Sequence, residues 1–270
     1  MRIALCQMTS TDNPWQNLVL LTEHVRRAAD DGARLAVLPE AAMCRFGVLL
    51  GPVAQPLDGP WADGVRGAAQ TAGITVVAGM FTPAPGGRVA NTLLATGPGV
   101  ADSYDKIHLY DAFGFRESET VAAGDRVVTI DVDDVRVGLA TCYDLRFPEL
   151  FRAHADAGAT VSVLPASWGA GPGKRDQWEL LVRARALDAT VWLAAVGQSA
   201  PDPAADPEHP TKAPTGIGHS MLVAPDGAVR ARLGAEPGTV TAAVDAAETI
   251  RVRRAVAVLD NRRLRDGGIA

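Results

Sequence analysis

Apolar residues recur along this chain with two alternating periods. Residues 3–8 and 34–38 are short, nearly unbroken apolar runs that suit strands buried on both faces. Residues 14–31 instead place Leu18, Leu21, Val25 and Ala28 on one helical face. Pro14 stands near the start of that helix, where its missing N–H costs little, and Gly32 follows its end. A helix over 62–72, stopped at Gly73, feeds a strand over 74–80. A turn rich in Pro and Gly at 83–87 then sends the chain back as an antiparallel strand over 89–96. Strands alternating with amphipathic helices predict an α/β fold, and the tight turn predicts mixed sheets.

Gly32-Ala33-Arg34-Leu35-Ala36-Val37-Leu38-Pro39 is echoed by Gly158-Ala159-Thr160-Val161-Ser162-Val163-Leu164-Pro165, each a cap, a buried strand and a Pro stop. Arg2-Ile3-Ala4-Leu5 pairs loosely with Arg136-Val137-Gly138-Leu139. The echo is either convergence on one helix-Gly-strand solution or the trace of two similar halves. Two such halves predict a four-layer αββα sandwich of two mixed β-sheets with outer helices, because each sheet must cover one face with its twin and the other with helices. No linker divides the chain, so one domain is expected over 1–270. Pro201, Pro203, Pro207, Pro210 and Pro214 make 199–218 a lid or a poorly ordered insertion. The tail, about 250–270, is apolar and then basic. It reads as an arm packing on another subunit or on its own core, and the expectation is a subunit contact within a homo-oligomer.

Composition narrows the class. Apolar residues are 47% and charged residues 21%, which excludes intrinsic disorder. The net charge is −5 and no basic run is long enough to follow a phosphate backbone, so nucleic acid is not an expected partner. No apolar stretch reaches the ~20 residues of a membrane helix, and the chain opens directly on a strand, which predicts a cytoplasmic protein. Cys6, Cys44 and Cys142 are too few and too odd for a disulfide framework; Cys6 reads as core and Cys44 as a loop thiol open to solvent. The histidines lack metal-ligand spacing, and neither a metal nor a cofactor is expected.

Three contexts carry chemistry. Residues 135–141 alternate as a strand and 142–151 change to helical spacing, so Cys142 sits at a strand-to-helix junction. Strand ends open there onto a crevice, and a helix N-terminus lowers a thiol pKa. Pro39 ends a buried strand so that Glu40 can turn inward at the same edge. Lys106 lies in a strand-like run, Tyr104-Asp105-Lys106-Ile107-His108. His108 reads as a hydrogen-bonded structural histidine. Each residue alone is as well explained by core or surface.

Leu38-Pro39-Glu40-Ala41, Asp105-Lys106-Ile107-His108-Leu109 and Thr141-Cys142-Tyr143-Asp144-Leu145-Arg146-Phe147-Pro148-Glu149, in that order, resemble the nitrilase or carbon-nitrogen hydrolase superfamily. The likeness extends through Phe113-Gly114-Phe115-Arg116-Glu117, Leu164-Pro165-Ala166-Ser167-Trp168, the helical run 178–187 and Gly218-His219-Ser220-Met221. It implies a Glu40, Lys106, Cys142 triad with Glu117 as a second carboxylate, a role for which Glu119 competes. These residue types suit the roles. Glu40 would act as general base, with desolvation raising its pKa, while Lys106 would lower the thiol pKa and, with the Tyr143 N–H, stabilise an oxyanion.

Tyr143-Asp144-Leu145-Arg146-Phe147 after the cysteine resembles the amidase side, ω-amidases and deaminated glutathione amidases. That implies hydrolysis of a small linear amide bearing a carboxylate, with release of ammonia through a Cys thioester. Phe115, Tyr143 and Trp168 would line the pocket. Arg146 and Arg175, with Arg45 and Arg116, are candidates for the carboxylate, although Arg146 could instead pair with Asp144 or Glu149. A non-catalytic binding or assembly module and an amide acyltransferase are the competing classes.

Overall fold

The computed structural model describes residues 1–200, 213–265 and 268–269. The first half runs through β1 (Arg2–Gln7), α1 (Pro14–Asp30), β2 (Leu35–Val37), α2 (Pro60–Ala72), β3 (Thr75–Pro83), β4 (Val89–Gly97), β5 (Val100–Asp105) and β6 (Val121–Ala122). The second holds β7 (Thr129–Val132), β8 (Val135–Leu139), α3 (Pro148–Asp156), β9 (Val161–Ala166), α4 (Lys174–Ala189), β10 (Trp192–Gly197), β11 (Met221–Val223) and β12 (Val229–Arg232). The chain then adds β13 (Gly238–Ala243) and α5 (Ala246–Val256).

One sheet has the order β13-β1-β2-β3-β4-β5, with β6 beside β4; the other has the order β12-β11-β10-β9-β8-β7. Each carries three parallel central strands, β1-β2-β3 in one and β8-β9-β10 in the other, flanked by antiparallel partners. Side-chain alternation makes the layers. Ile3, Leu5, Leu35, Val37 and Val77 face the second sheet's Val137, Leu139, Val161 and Val163, whereas Ala4, Cys6, Ala36, Leu38, Val76 and Ala78 pack under Leu21, Val25, Trp61 and Val65 of α1 and α2. Leu150, Phe151, Trp178 and Val182 of α3 and α4 cover the outer face of the second sheet. The architecture is the expected αββα arrangement of two mixed sheets.

The echo is structural as well as lexical. Gly32 N–H bonds Ala29 O and Ala33 N–H bonds Ala28 O; Gly158 and Ala159 repeat this on Ala155 and His154. Arg34 N–H reaches Arg2 O as Thr160 N–H reaches Arg136 O. Both glycines have positive φ, 76° and 89°, the left-handed cap that a side chain resists.

Differences from the sequence expectations have local causes. The helix expected from Cys142 onward is split. Cys142–Arg146 form a 3₁₀ turn, Phe147 is extended at φ −113° and ψ 94°, and Pro148 opens α3, because a residue before proline is pushed out of the helical region. The tail through Arg262 packs on its own chain, the second of the two placements that its sequence suited. Arg253 donates to Ala159 O, Thr249 to Thr160 O, and Arg262 forks onto Asp156. Cys44, expected to be open to solvent, is buried and donates to Asp12 O. Of the proline-rich stretch 199–218, residues 201–212 lie outside the described residues. Among the described residues no helix is long and apolar enough to cross a membrane.

Candidate active site

Glu40 reaches the space between the sheets because β3 carries a glycine beneath it. A Cβ on Gly79 would stand 2.7–2.8 Å from Pro39 O, Ala41 N and Glu40 Cα. Gly79 N–H instead bonds Pro39 O, and Met43 N–H returns to Gly79 O. Lys106 follows β5 directly, its own N–H bonded to Asn91 O of β4. Cys142 follows β8 at φ +47°, a left-handed conformation rare for a side-chain-bearing residue. Glu117 sits on a short 3₁₀ turn, Glu117–Glu119, that leads into β6.

These four side chains converge in one cavity. Lys106 Nζ donates to Glu40 Oε1 at 3.1 Å and to Glu117 Oε2 at 2.8 Å, with all three residues at most 5% exposed. Asn91 Nδ2 donates to both carboxylates, 2.8 Å to Glu40 and 3.2 Å to Glu117. Ser167 N–H donates to Glu40 Oε2 at 2.7 Å, and the Cys142 thiol donates to Ser167 O at 3.8 Å. The Glu40 carboxylate is near enough to the thiol for its charge to act on it. Glu117 further accepts from Tyr110 N–H at 2.6 Å. Glu119, its competitor in sequence, is exposed and faces Arg116.

The electrostatics depart from expectation at the sulfur. Burial pushes the Cys142 thiol well above its ordinary range and the charge of Glu40 adds to this, while Lys106 opposes both without prevailing. A five-residue 3₁₀ turn has too few aligned peptides to supply the expected helix-terminus effect. The resting thiol is therefore neutral. Burial alone would pull the Lys106 ammonium down, but the carboxylates of Glu40 and Glu117 outweigh it and hold the group raised and protonated.

The empty space of the cleft, with the solvent at its mouth counted in, is about 450 Å³. Phe46, Tyr110, Phe115, Tyr143, Trp168 and Pro214 form its walls, with Arg146 and Lys174 among its lining. Phe115, Tyr143, Trp168 and Arg146 thus line one cleft with Cys142. Arg175 does not: it pairs with Glu179 on the exposed side of α4, outside this cleft. Arg146 pairs with neither Asp144 nor Glu149. It donates to Gln177 and lies 5.1 Å from the centre of the Trp168 ring, with Nε buried and without a partner among the described residues. Lys174 Nζ stands 3.5 Å over Phe113. Burial and then the charge of Arg146 hold Lys174 below its ordinary range. His108 is hydrogen-bonded to Asp144, as a structural histidine would be.

Sequence reasoning missed Asn91, Lys174 and the Ser167 backbone. Asn91 had a signal, an amide inside the apolar run of β4; Lys174 had none, being one more cation at a helix start. Among the described residues no group of three or more His, Cys, Asp or Glu is placed to hold a metal.

The sequence profile of the carbon-nitrogen hydrolase family matches residues 2–254. A Mycobacterium tuberculosis protein named only as a hydrolase is 51% identical over 266 residues, covering 97% of this chain and 95% of its own. The deaminated glutathione amidase of Escherichia coli O157:H7 is 35% identical over 268 residues, covering 97% of each. The crystal structure of Saccharomyces cerevisiae Nit3, a member of branch 10 of the nitrilase superfamily, superposes with a TM-score of 0.84 at 25% identity, covering 98% of this chain and 97% of that one.

Proposed function

The chain belongs to the carbon-nitrogen hydrolase family, and from that premise we propose that it cleaves the C–N bond of a small linear amide bearing a carboxylate, through a thioester on Cys142. Glu40 takes the thiol proton as the sulfur attacks the amide carbonyl, so the buried neutral thiol is ionised only as the new C–S bond forms. The carbonyl oxygen becomes an oxyanion between the Lys106 ammonium and the Tyr143 N–H, the latter at the start of a turn that offers it no preceding carbonyl. Each such donor contributes roughly 3 kcal/mol to the transition state. Glu40 returns the proton to the nitrogen as the C–N bond breaks and ammonia leaves. Glu40 then deprotonates water attacking the thioester, and the carboxylic acid and the thiol are released. Glu117 keeps Lys106 oriented through both steps.

The observation that carries this reading is the backbone of one residue, Ser167, whose N–H donates to the Glu40 carboxylate and whose carbonyl accepts from the Cys142 thiol. Arg146 and Lys174, two cations in the cleft lining without a carboxylate partner among the described residues, support an anionic substrate. The E. coli relative, named a deaminated glutathione amidase, supports an amide substrate. The proposal extends to one hydrolase domain over 1–270, a cytoplasmic location and self-association. Light scattering at the mass of a single chain would reject the last.

Intact-protein mass spectrometry during turnover of a panel of ω-amides tests the mechanism. An acyl mass on Cys142, with ammonia release abolished in Cys142→Ala, is the expected result. Turnover retained in Cys142→Ala overturns the mechanism.

A further inference from the structure

The Cys142 turn and the segment that carries Lys106 share one buried carboxylate. Asp144 is fully buried and accepts four hydrogen bonds. Its Oδ2 takes the Thr141 N–H at 2.8 Å and the Tyr104 hydroxyl at 2.6 Å; its Oδ1 takes the His108 N–H at 3.0 Å and His108 Nδ1 at 2.7 Å. Four donors fill the lone-pair capacity of an ionised carboxylate, and an acceptor there requires the His108 proton on Nδ1.

The donors come from both sides of the site. Thr141 immediately precedes Cys142, whose left-handed backbone is strained and persists only where its surroundings over-determine it. Tyr104 and His108 bracket Lys106, and the Tyr104 hydroxyl also accepts the Ile107 N–H at 3.3 Å. Phe147 N–H closes the turn on Asp144 O at 2.9 Å, and the Phe147 ring stacks on His108 at 3.8 Å and 6°. Nucleophile turn and ammonium segment are therefore held as one body.

We infer that Asp144 is a positioning residue: its carboxylate sets where the Lys106 ammonium stands relative to the Cys142 sulfur. What that spacing accomplishes rests on the function proposed above, but the spacing itself is read out by thiol reactivity alone. An ammonium displaced by about 1 Å stabilises the developing thiolate less, a misplacement worth on the order of 10²-fold in rate.

The test follows alkylation of Cys142 by iodoacetamide, located by peptide mass, well below the unfolding temperature. It compares the parent with Asp144→Asn, Tyr104→Phe and Val25→Ala. The last truncates an α1 side chain packed on the outer face of the first sheet, outside the cleft lining, and supplies a loss of stability without a change at the site. Asp144→Asn should slow alkylation about 100-fold and Tyr104→Phe about tenfold, with Val25→Ala unchanged. On a hydrolysed amide, kcat should fall with KM held within about twofold. Alkylation of Tyr104→Phe at the parental rate, or equal slowing in Val25→Ala, overturns the inference. Tyr104→Phe decides alone if Asp144→Asn does not fold. A parent that alkylates at Cys142 yet hydrolyses no amide sinks the proposed function and leaves the clamp to be judged by the alkylation rates.

Discussion

The Asn91 amide donates to the Glu40 carboxylate at 2.8 Å from a fully buried position on β4. The same nitrogen reaches Glu117 at 3.2 Å, so one side chain holds the two carboxylates that flank Lys106. Asn91→Ala leaves both short of a donor inside the protein, and an unsatisfied buried acceptor costs about 1–3 kcal/mol. We expect a stability loss of about 3 kcal/mol in urea unfolding and a fall in kcat of at least about tenfold. A variant with parental kcat would mean that Lys106 and Ser167 suffice to orient Glu40.

Glu117 and Glu119 are two residues apart and differ completely in setting. Glu117→Gln removes a charge from the buried Lys106 pair and should cost about 3–5 kcal/mol of protein stability, and the misplaced ammonium should lower kcat about 100-fold. Glu119→Gln, on the surface opposite Arg116, should leave kcat, KM and the unfolding midpoint unchanged. Steady-state kinetics of the two variants side by side check this.

Arg146 and Lys174 should act on KM for anionic amides. Replacing either with Met is expected to raise KM for a carboxylate-bearing ω-amide about 10- to 100-fold while changing a neutral amide of equal length less than about threefold. Equal losses on both substrates would assign these cations to cleft shape rather than charge recognition.

His154 provides a pH dependence of stability. It is buried, with Nδ1 against Ser162 Oγ, and burial pushes its pKa down from 6.5 to about 4. The folded state therefore keeps it neutral while the unfolded chain takes up a proton below 6.5. Its stabilisation is complete above pH 6.5 and is lost progressively as pH falls toward 4, by about 3 kcal/mol. Urea unfolding at pH 7 and pH 4.5 should show this loss in the parent and a smaller one in His154→Gln.

The alternation of apolar strands and amphipathic helices, with the repeated Gly-strand-Pro segment, was enough to predict two mixed sheets and their outer helices. Those features are local: periodicity decides which face is buried, and Gly32 and Gly158 mark where the chain leaves a helix. The neighbourhood of Glu40, Lys106 and Cys142 was legible only through their contexts taken together, because each stands at a strand end and no single one distinguishes a reacting group from a solvated one.

Which groups meet was decided in three dimensions. Arg175 and Arg146 looked equivalent in the sequence, yet the face of α4 turns the first toward solvent while the turn after β8 sends the second over Trp168. Asn91, Lys174 and the Ser167 backbone join the site only because β4, α4 and β9 are brought to its rim by pairing and packing across the sandwich. The thiol, expected to be acidified by a helix terminus, is neutral because burial and the neighbouring carboxylate outweigh one ammonium. Sequence determines periodicity and local stops, which depend on near neighbours; desolvation and the pairing of distant charges depend on what surrounds a group on every side, and only the folded chain supplies that.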